Sequence, residues 1–160
     1  MSLSIRPAVA SDASLIFGFI RELAEYERLA HEVDATEGDI AQALFGPNLR
    51  VFADVAEWEG EAVGFALWFY NFSTFRGRHG IYLEDLFVRP EFRSKGIGKA
   101  LLRHLARRCI AEGLPRLEWW VLDWNEPALK VYRSIGAVPM DEWTVQRMTG
   151  EALQRLAEEP

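Results

Sequence analysis

Residues 82–100 run Tyr-Leu-Glu-Asp-Leu-Phe-Val-Arg-Pro-Glu-Phe-Arg-Ser-Lys-Gly-Ile-Gly-Lys-Ala, and the reading of this stretch decides the fold. Residues 81–88 predict a strand, residues 93–98 a tight turn, and residues 96–111 a helix whose Ile97, Leu101, Leu105 and Cys109 recur every four positions. Gly96 and Gly98 let the main chain approach a ligand with no Cβ in the way. The first helical turn leaves N–H groups unpaired and carries the positive end of the helix dipole. Arg93, Ser94, Lys95, Gly96, Ile97, Gly98 and Lys99 therefore make an anion cradle, with room for a diphosphate. Two carboxylates, Glu84 and Asp85, precede it on the strand.

Other phosphate motifs fail on the residues. A Walker A loop needs glycine at position 93 and a hydroxyl residue at position 100, where Arg93 and Ala100 stand. A dinucleotide fingerprint needs glycine at position 101, where Leu101 stands.

Charge is unevenly placed. Residues 88–111 carry Arg89, Arg93, Lys95, Lys99, Arg103, Arg107 and Arg108 against the single acid Glu91, a local charge of +6. The whole chain is −6, which leaves −12 on the remainder. A basic patch on an acidic protein suits a small polyanion and a cationic second ligand, and excludes the broad basic face of a nucleic-acid binder. No run approaches the ~20 apolar residues of a membrane span, so no membrane partner is expected. One cysteine, Cys109, excludes an intrachain disulfide and suits a reducing compartment. The first residues lack the basic and apolar runs of a secretion signal, and the expectation is a cytoplasmic protein. His31, His79 and His104 have no metal-binding spacing, so no metal is expected.

The 160 residues predict one domain, 1–160, without repeats or linkers. Strands are expected at residues 4–6, 51–57, 62–70, 81–88, 117–122 and 137–148, with a loop over 71–80. Helices are expected at residues 11–28, 36–45, 96–111, 127–135 and 151–157. This α/β (α+β) order implies a mixed, mostly antiparallel sheet with helices on both faces.

A second motif follows the fifth strand. Asn125 and Tyr132 are seven residues apart, nearly two helical turns, and so share a face; Pro127 and Ala128 lie between them. Together, Arg93-x-x-Gly96-x-Gly98 and this Asn–Tyr pair resemble the acyl-CoA signature of the GNAT N-acetyltransferase superfamily. Four further stretches resemble its spermidine/spermine and thialysine N-acetyltransferase branch: Glu-Leu-Ala-Glu-Tyr-Glu at 22–27, Ser-Thr-Phe-Arg-Gly at 73–77, Tyr-Leu-Glu-Asp at 82–85 and Trp-Asn-Glu-Pro at 124–127. The resemblance covers residues 5–147.

It implies acetyl-CoA as cosubstrate, a small cationic amine as acceptor and a homodimer. It also implies a splayed fourth and fifth strand, with the main chain of Leu86, Phe87 and Val88 holding pantetheine. The cradle with Asn125, Pro127, Ala128 and Tyr132 completes the cofactor set. Glu84 is the implied base and Tyr132 the acid that protonates the leaving thiolate. Glu27, Glu84, Asp85, Glu118, Trp119, Trp120 and Glu142 would line the amine path. An alkylamine with a pKa near ~10.4 arrives as ammonium, so carboxylates must attract it and one must take its proton. The loop cations Arg76 and Arg78 are expected to meet the carboxylate of a lysine-like acceptor, which keeps thialysine level with spermidine. Two alternatives remain open: acetylation of peptide lysine, and a non-catalytic acyl-CoA-binding module.

Overall fold

Two long strands form the spine of the molecule. β3 (Glu61–Ser73) and β4 (Arg78–Val88) pair antiparallel from Gly64↔Val88 to Ser73↔Arg78. A loop over residues 71–80 is expected from the sequence, but the strands run on through it and leave only residues 74–77 as a turn. Cross-strand contact explains the extension: the Phe72 and His79 rings sit 4.9 Å apart.

β1 (Leu3–Pro7) and β2 (Phe52–Trp58) extend the sheet on the β3 side. β5 (Leu117–Trp119) closes the other side, giving the order β1-β2-β3-β4-β5. Every pairing is antiparallel except β4 with β5, which is parallel. The computed structural model describes residues 2–160, in two compact units that meet in sequence between Trp124 and Asn125.

In the first unit, helices cover both faces of the sheet. α1 (Ala13–Tyr26) buries Ile16, Phe19 and Leu23 on one stripe. With Leu44 of α2 (Glu37–Phe45) they pack on Ala53, Val55, Phe65, Leu67 and Phe87. α3 (Ile97–Glu112) covers the opposite face, where the alternate residues Asp54 and Trp68 meet His104 and Arg108. Asp54 is buried and accepts a hydrogen bond from the Trp68 indole at 2.9 Å.

Local chemistry sets the helix ends. Thr36 and Asp39 form a reciprocal capping box at the start of α2. A separate 3₁₀ turn, Ala10–Asp12, precedes α1, because Asp12 is committed elsewhere. Its carboxylate accepts from Arg6 at 2.7 Å and from the Val9 N–H at 2.8 Å, and the Arg6 hydrogen bond holds its pKa below the usual carboxylate range. Gly113, at φ 69°, ends α3 in the left-handed region, and Leu114 N–H donates back to Cys109 C=O.

The second unit holds α4 (Glu126–Ser134) and α5 (Gly150–Glu158). The strand expected at residues 137–148 is absent there. Pro139 removes a ladder donor, and the apolar alternation slips phase between Met140 and Trp143, so neither face is consistently apolar. β5 likewise stops at Trp119 instead of residue 122.

Candidate active site

The site is organised by a parting of strands. β5 pairs with β4 only at Ile81↔Leu117, Tyr82↔Glu118 and Leu83↔Trp119, while β4 continues to Val88. Past Leu83 the β5-facing edge of β4 has no strand partner among the described residues. Leu86, Phe87 and Val88 belong to that stretch of β4.

Beyond Val88 a 3₁₀ turn, Pro90–Phe92, leads to the turn before α3. Ser94 and Gly96 both take positive φ, 68° and 77°, and Gly96 is the N-cap residue of α3 with no side-chain cap. The N-terminus of α3 is thus left to main-chain N–H groups. A Cβ at Gly96 would meet no atom within 4 Å, and one at Gly98 only Val88 Cγ2 at 4.0 Å, so the mouth of the cradle is open. Its cations are partly engaged. Arg93 Nε donates to Val88 C=O at 2.9 Å, and its guanidinium lies 4.6 Å from the Tyr26 ring. Lys95 sits 5.2 Å from the Trp58 ring.

Where the strands part, acids converge. The register steps from Trp68↔Leu83 to Leu67↔Asp85, which leaves Glu84 as the extra residue of a β-bulge. Asp85, opposite the core residue Leu67, faces the α1 side of the sheet and is half-buried. Burial first, then the charges of Glu84 and Glu27, push its pKa up to about 7. Glu27, at the C-terminal end of α1, is raised by burial and by Glu84. The Tyr82 hydroxyl rises to about 12, through burial and the charges of Glu84, Asp85 and Glu118. Three carboxylates, Glu27, Glu84 and Asp85, thus share one electrostatic neighbourhood. Glu118 stands beside it and accepts from the Asn71 amide at 3.1 Å.

Aromatic rings border this cluster. Tyr82 meets Trp120 edge-on at 5.8 Å, and Tyr26 meets Trp124 at 6.0 Å. Trp119 is half-buried on β5 and Trp120 is exposed. Tyr26, Arg28 and Tyr82 are absent from the sequence-derived site. Tyr26 and Tyr82 do stand in the quoted stretches 22–27 and 82–85, while Arg28 has only its position beside Glu27 to mark it.

The loop cations do not belong to the cluster. Arg76 lies in the 74–77 turn and Arg78 points to the Gly113 carbonyl at 3.5 Å, at the other end of β4. Six residues of strand, about 20 Å, separate Arg78 from Glu84. The expectation that these two meet an acceptor carboxylate beside the acids within the same chain is therefore corrected.

In the second unit, Asn125 is the N-cap of α4; its Oδ1 accepts from Ala128 N–H at 3.4 Å. Pro127 occupies the first turn and Tyr132 the last, so the Asn–Tyr spacing falls on one helix as expected. Glu142 lies in an exposed turn, not on a strand.

Comparison with known proteins bears on what this geometry serves. The model of the acetyltransferase (GNAT) family matches residues 16–137. The thialysine N-epsilon-acetyltransferase of Bos taurus is 37% identical, with 96% of each chain covered. An L-ornithine N5-acetyltransferase of Arabidopsis thaliana is 31% identical over 95% of this chain and 86% of its own. A solved integron cassette protein of V. cholerae superposes with a TM-score of 0.82 at 32% identity, covering 99% of each chain. With a family match over most of its length and relatives at this level of identity, the chain belongs to the GNAT family and is an N-acetyltransferase.

Proposed function

We propose that the protein moves an acetyl group from acetyl-CoA directly to a primary amine of a small cationic acceptor, a diamino acid or a polyamine. The observation that carries this reading is the convergence of Glu27, Glu84 and Asp85 beside the open edge of β4. Such a cluster attracts an ammonium ion and can accept its proton. Glu84, at the bulge, takes the proton through water, and Asp85 binds the amine. The raised pKa of Asp85 keeps that carboxyl within reach of proton exchange near neutrality.

The freed lone pair attacks the thioester carbon, forming the C–N bond. Charge gathers on the thioester oxygen, where the N–H of Leu86 or Phe87 meets it. Collapse breaks the C–S bond; Tyr132 donates a proton to the CoA thiolate, and the surplus proton on the new amide nitrogen passes to water, from which Tyr132 is reprotonated. Pantetheine lies along Leu86, Phe87 and Val88, and the diphosphate on Arg93, Ser94, Lys95, Gly96, Ile97, Gly98 and Lys99. Asn125, Pro127 and Ala128 are assigned to the cofactor by sequence resemblance. Glu118, Trp119, Trp120 and Glu142 are assigned to the acceptor path. The relatives named for thialysine and for L-ornithine favour a diamino acid. The reading also takes the protein as a cytoplasmic homodimer.

A thiol reagent that reports CoA release tests this, with spermidine, spermine, thialysine, ornithine and a lysine peptide as acceptors. Turnover on a free amine that falls about 100-fold or more in Glu84→Gln and Tyr132→Phe is the expected result. Turnover on the peptide alone would move the assignment to protein acetylation. CoA binding with no turnover on any acceptor would make the protein a binding module.

A further inference from the structure

We propose that Arg28 reads the carboxylate of a diamino-acid acceptor and so sets amino acid against polyamine. The proposal rests on the small-amine reading above and names the acceptor class of that site. Arg28 follows α1 with its backbone in the left-handed region at φ 63°. Its guanidinium lies 4.6 Å from the Trp124 ring and forms no ion pair among the described residues. A guanidinium held over a ring by its charge has N–H groups to spare, and their fork can grip a carboxylate with two parallel hydrogen bonds.

The neighbour of Arg28 supplies the other half. Glu27 is one residue away, about 3.8 Å along the backbone. Its charge is felt by Asp85, and that of Glu84 by Glu27. Two adjacent side chains of opposite sign, not paired with each other, match the α-ammonium and α-carboxylate that an amino acid carries on one carbon. In ornithine the side-chain ammonium lies about 5 Å from that carbon, at the end of four single bonds. Glu84 and Asp85 provide for it. A polyamine has cations at every station, and Arg28 repels it. Selectivity thus combines one attraction with one repulsion.

Trp124 holds Arg28 in place and is itself held. Arg93, Tyr26, Trp124 and Arg28 form a continuous chain of contacts, with successive separations of 4.6, 6.0 and 4.6 Å and the two rings tilted by 48°. Arg93 belongs to the turn before α3, so the selector is anchored to the same turn that the cosubstrate occupies.

Ornithine and putrescine isolate the effect, because putrescine is ornithine without its carboxylate. Steady-state kcat/KM for both is measured in the full-length enzyme, in Arg28→Gln and in Arg28→Lys. The wild-type enzyme favours ornithine. Arg28→Gln lowers the ornithine-to-putrescine ratio about 10–100-fold, through KM for ornithine. Arg28→Lys, a charge without the fork, recovers part of that ratio. An equal loss on both amines would assign Arg28 to packing alone and overturn the proposal, as would a ratio that does not move. A wild-type enzyme that turns over none of ornithine, putrescine, spermidine, spermine and thialysine would overturn the small-amine reading, and this proposal with it.

Discussion

Among single residues, Asp85 has the clearest consequences. Its pKa of about 7 lies well above the ordinary 3.8, so the folded state holds a proton that the unfolded chain has already released. Between those two values stability therefore falls as pH rises. Asp85→Asn removes the penalty: its Tm should exceed that of the wild type at pH 8 and the gap should close toward pH 4, as calorimetry can read. Activity should move the other way. The wild-type rate rises with pH through about 7 as the carboxylate forms, and the variant loses that limb together with affinity for the amine. A variant that is less stable at pH 8 would contradict the burial and repulsion assigned to Asp85. The sequence displayed Glu84 and Asp85 as adjacent acids on a strand. It could not reveal that a bulge keeps them from alternating in the ordinary way, and only the resemblance joined to them Glu27, from a helix more than fifty positions earlier. Arg28 escaped for the same reason, since its partner Trp124 is almost a hundred residues away in the chain.

At the level of elements, the turn before α3 was legible because its chemistry is local. Glycine spacing, the apolar four-residue repeat and the stop at Gly113 are each written within a few positions. Gly96 is where this matters most, since its φ of 77° belongs to a region that L side chains enter at a cost. Gly96→Ala meets no steric obstacle, so its cost is that of the backbone, about 1–2 kcal/mol. A drop in Tm accompanied by a raised KM for acetyl-CoA is the expected outcome. An unchanged KM would remove the turn from cosubstrate binding. The strand expected at 137–148 was misread because a strand is a property of pairs, and apolar residues alone do not supply a neighbour. The 71–80 loop was misread for the converse reason, since pairing carried β3 and β4 through residues without an obvious strand pattern.

On the scale of the whole molecule, sheet and helices follow the expected order, with α1 and α2 on one face of the first unit and α3 on the other. The second unit exposes Val138, Met140, Trp143 and Val145 to solvent. Large apolar side chains in that number are costly to leave wet. The homodimer proposed above has an expected mass in solution of twice the chain, by light scattering at micromolar concentration. A mass of one chain would refute the dimer. Charge patterning was the most reliable large-scale signal: the basic segment of residues 88–111 holds the α3 turn, and the acids outside it include Glu27, Glu84, Asp85 and Glu118.

The parting of β4 from β5 links this architecture to the metabolism of the cell. Past Leu83 that edge of β4 has no strand partner among the described residues, where a paired strand would have been more rigid. In the proposed reading, a pantetheine arm laid along it would act as the missing strand and make the cosubstrate a component of the fold. Any ligand that binds only the native state raises its stability by mass action, about 2.7 kcal/mol at a hundred times its dissociation constant. On that proposal the persistence of the protein would be tied to the supply of activated acetyl groups: when acetyl-CoA runs short, the enzyme that spends it would become the easier to unfold.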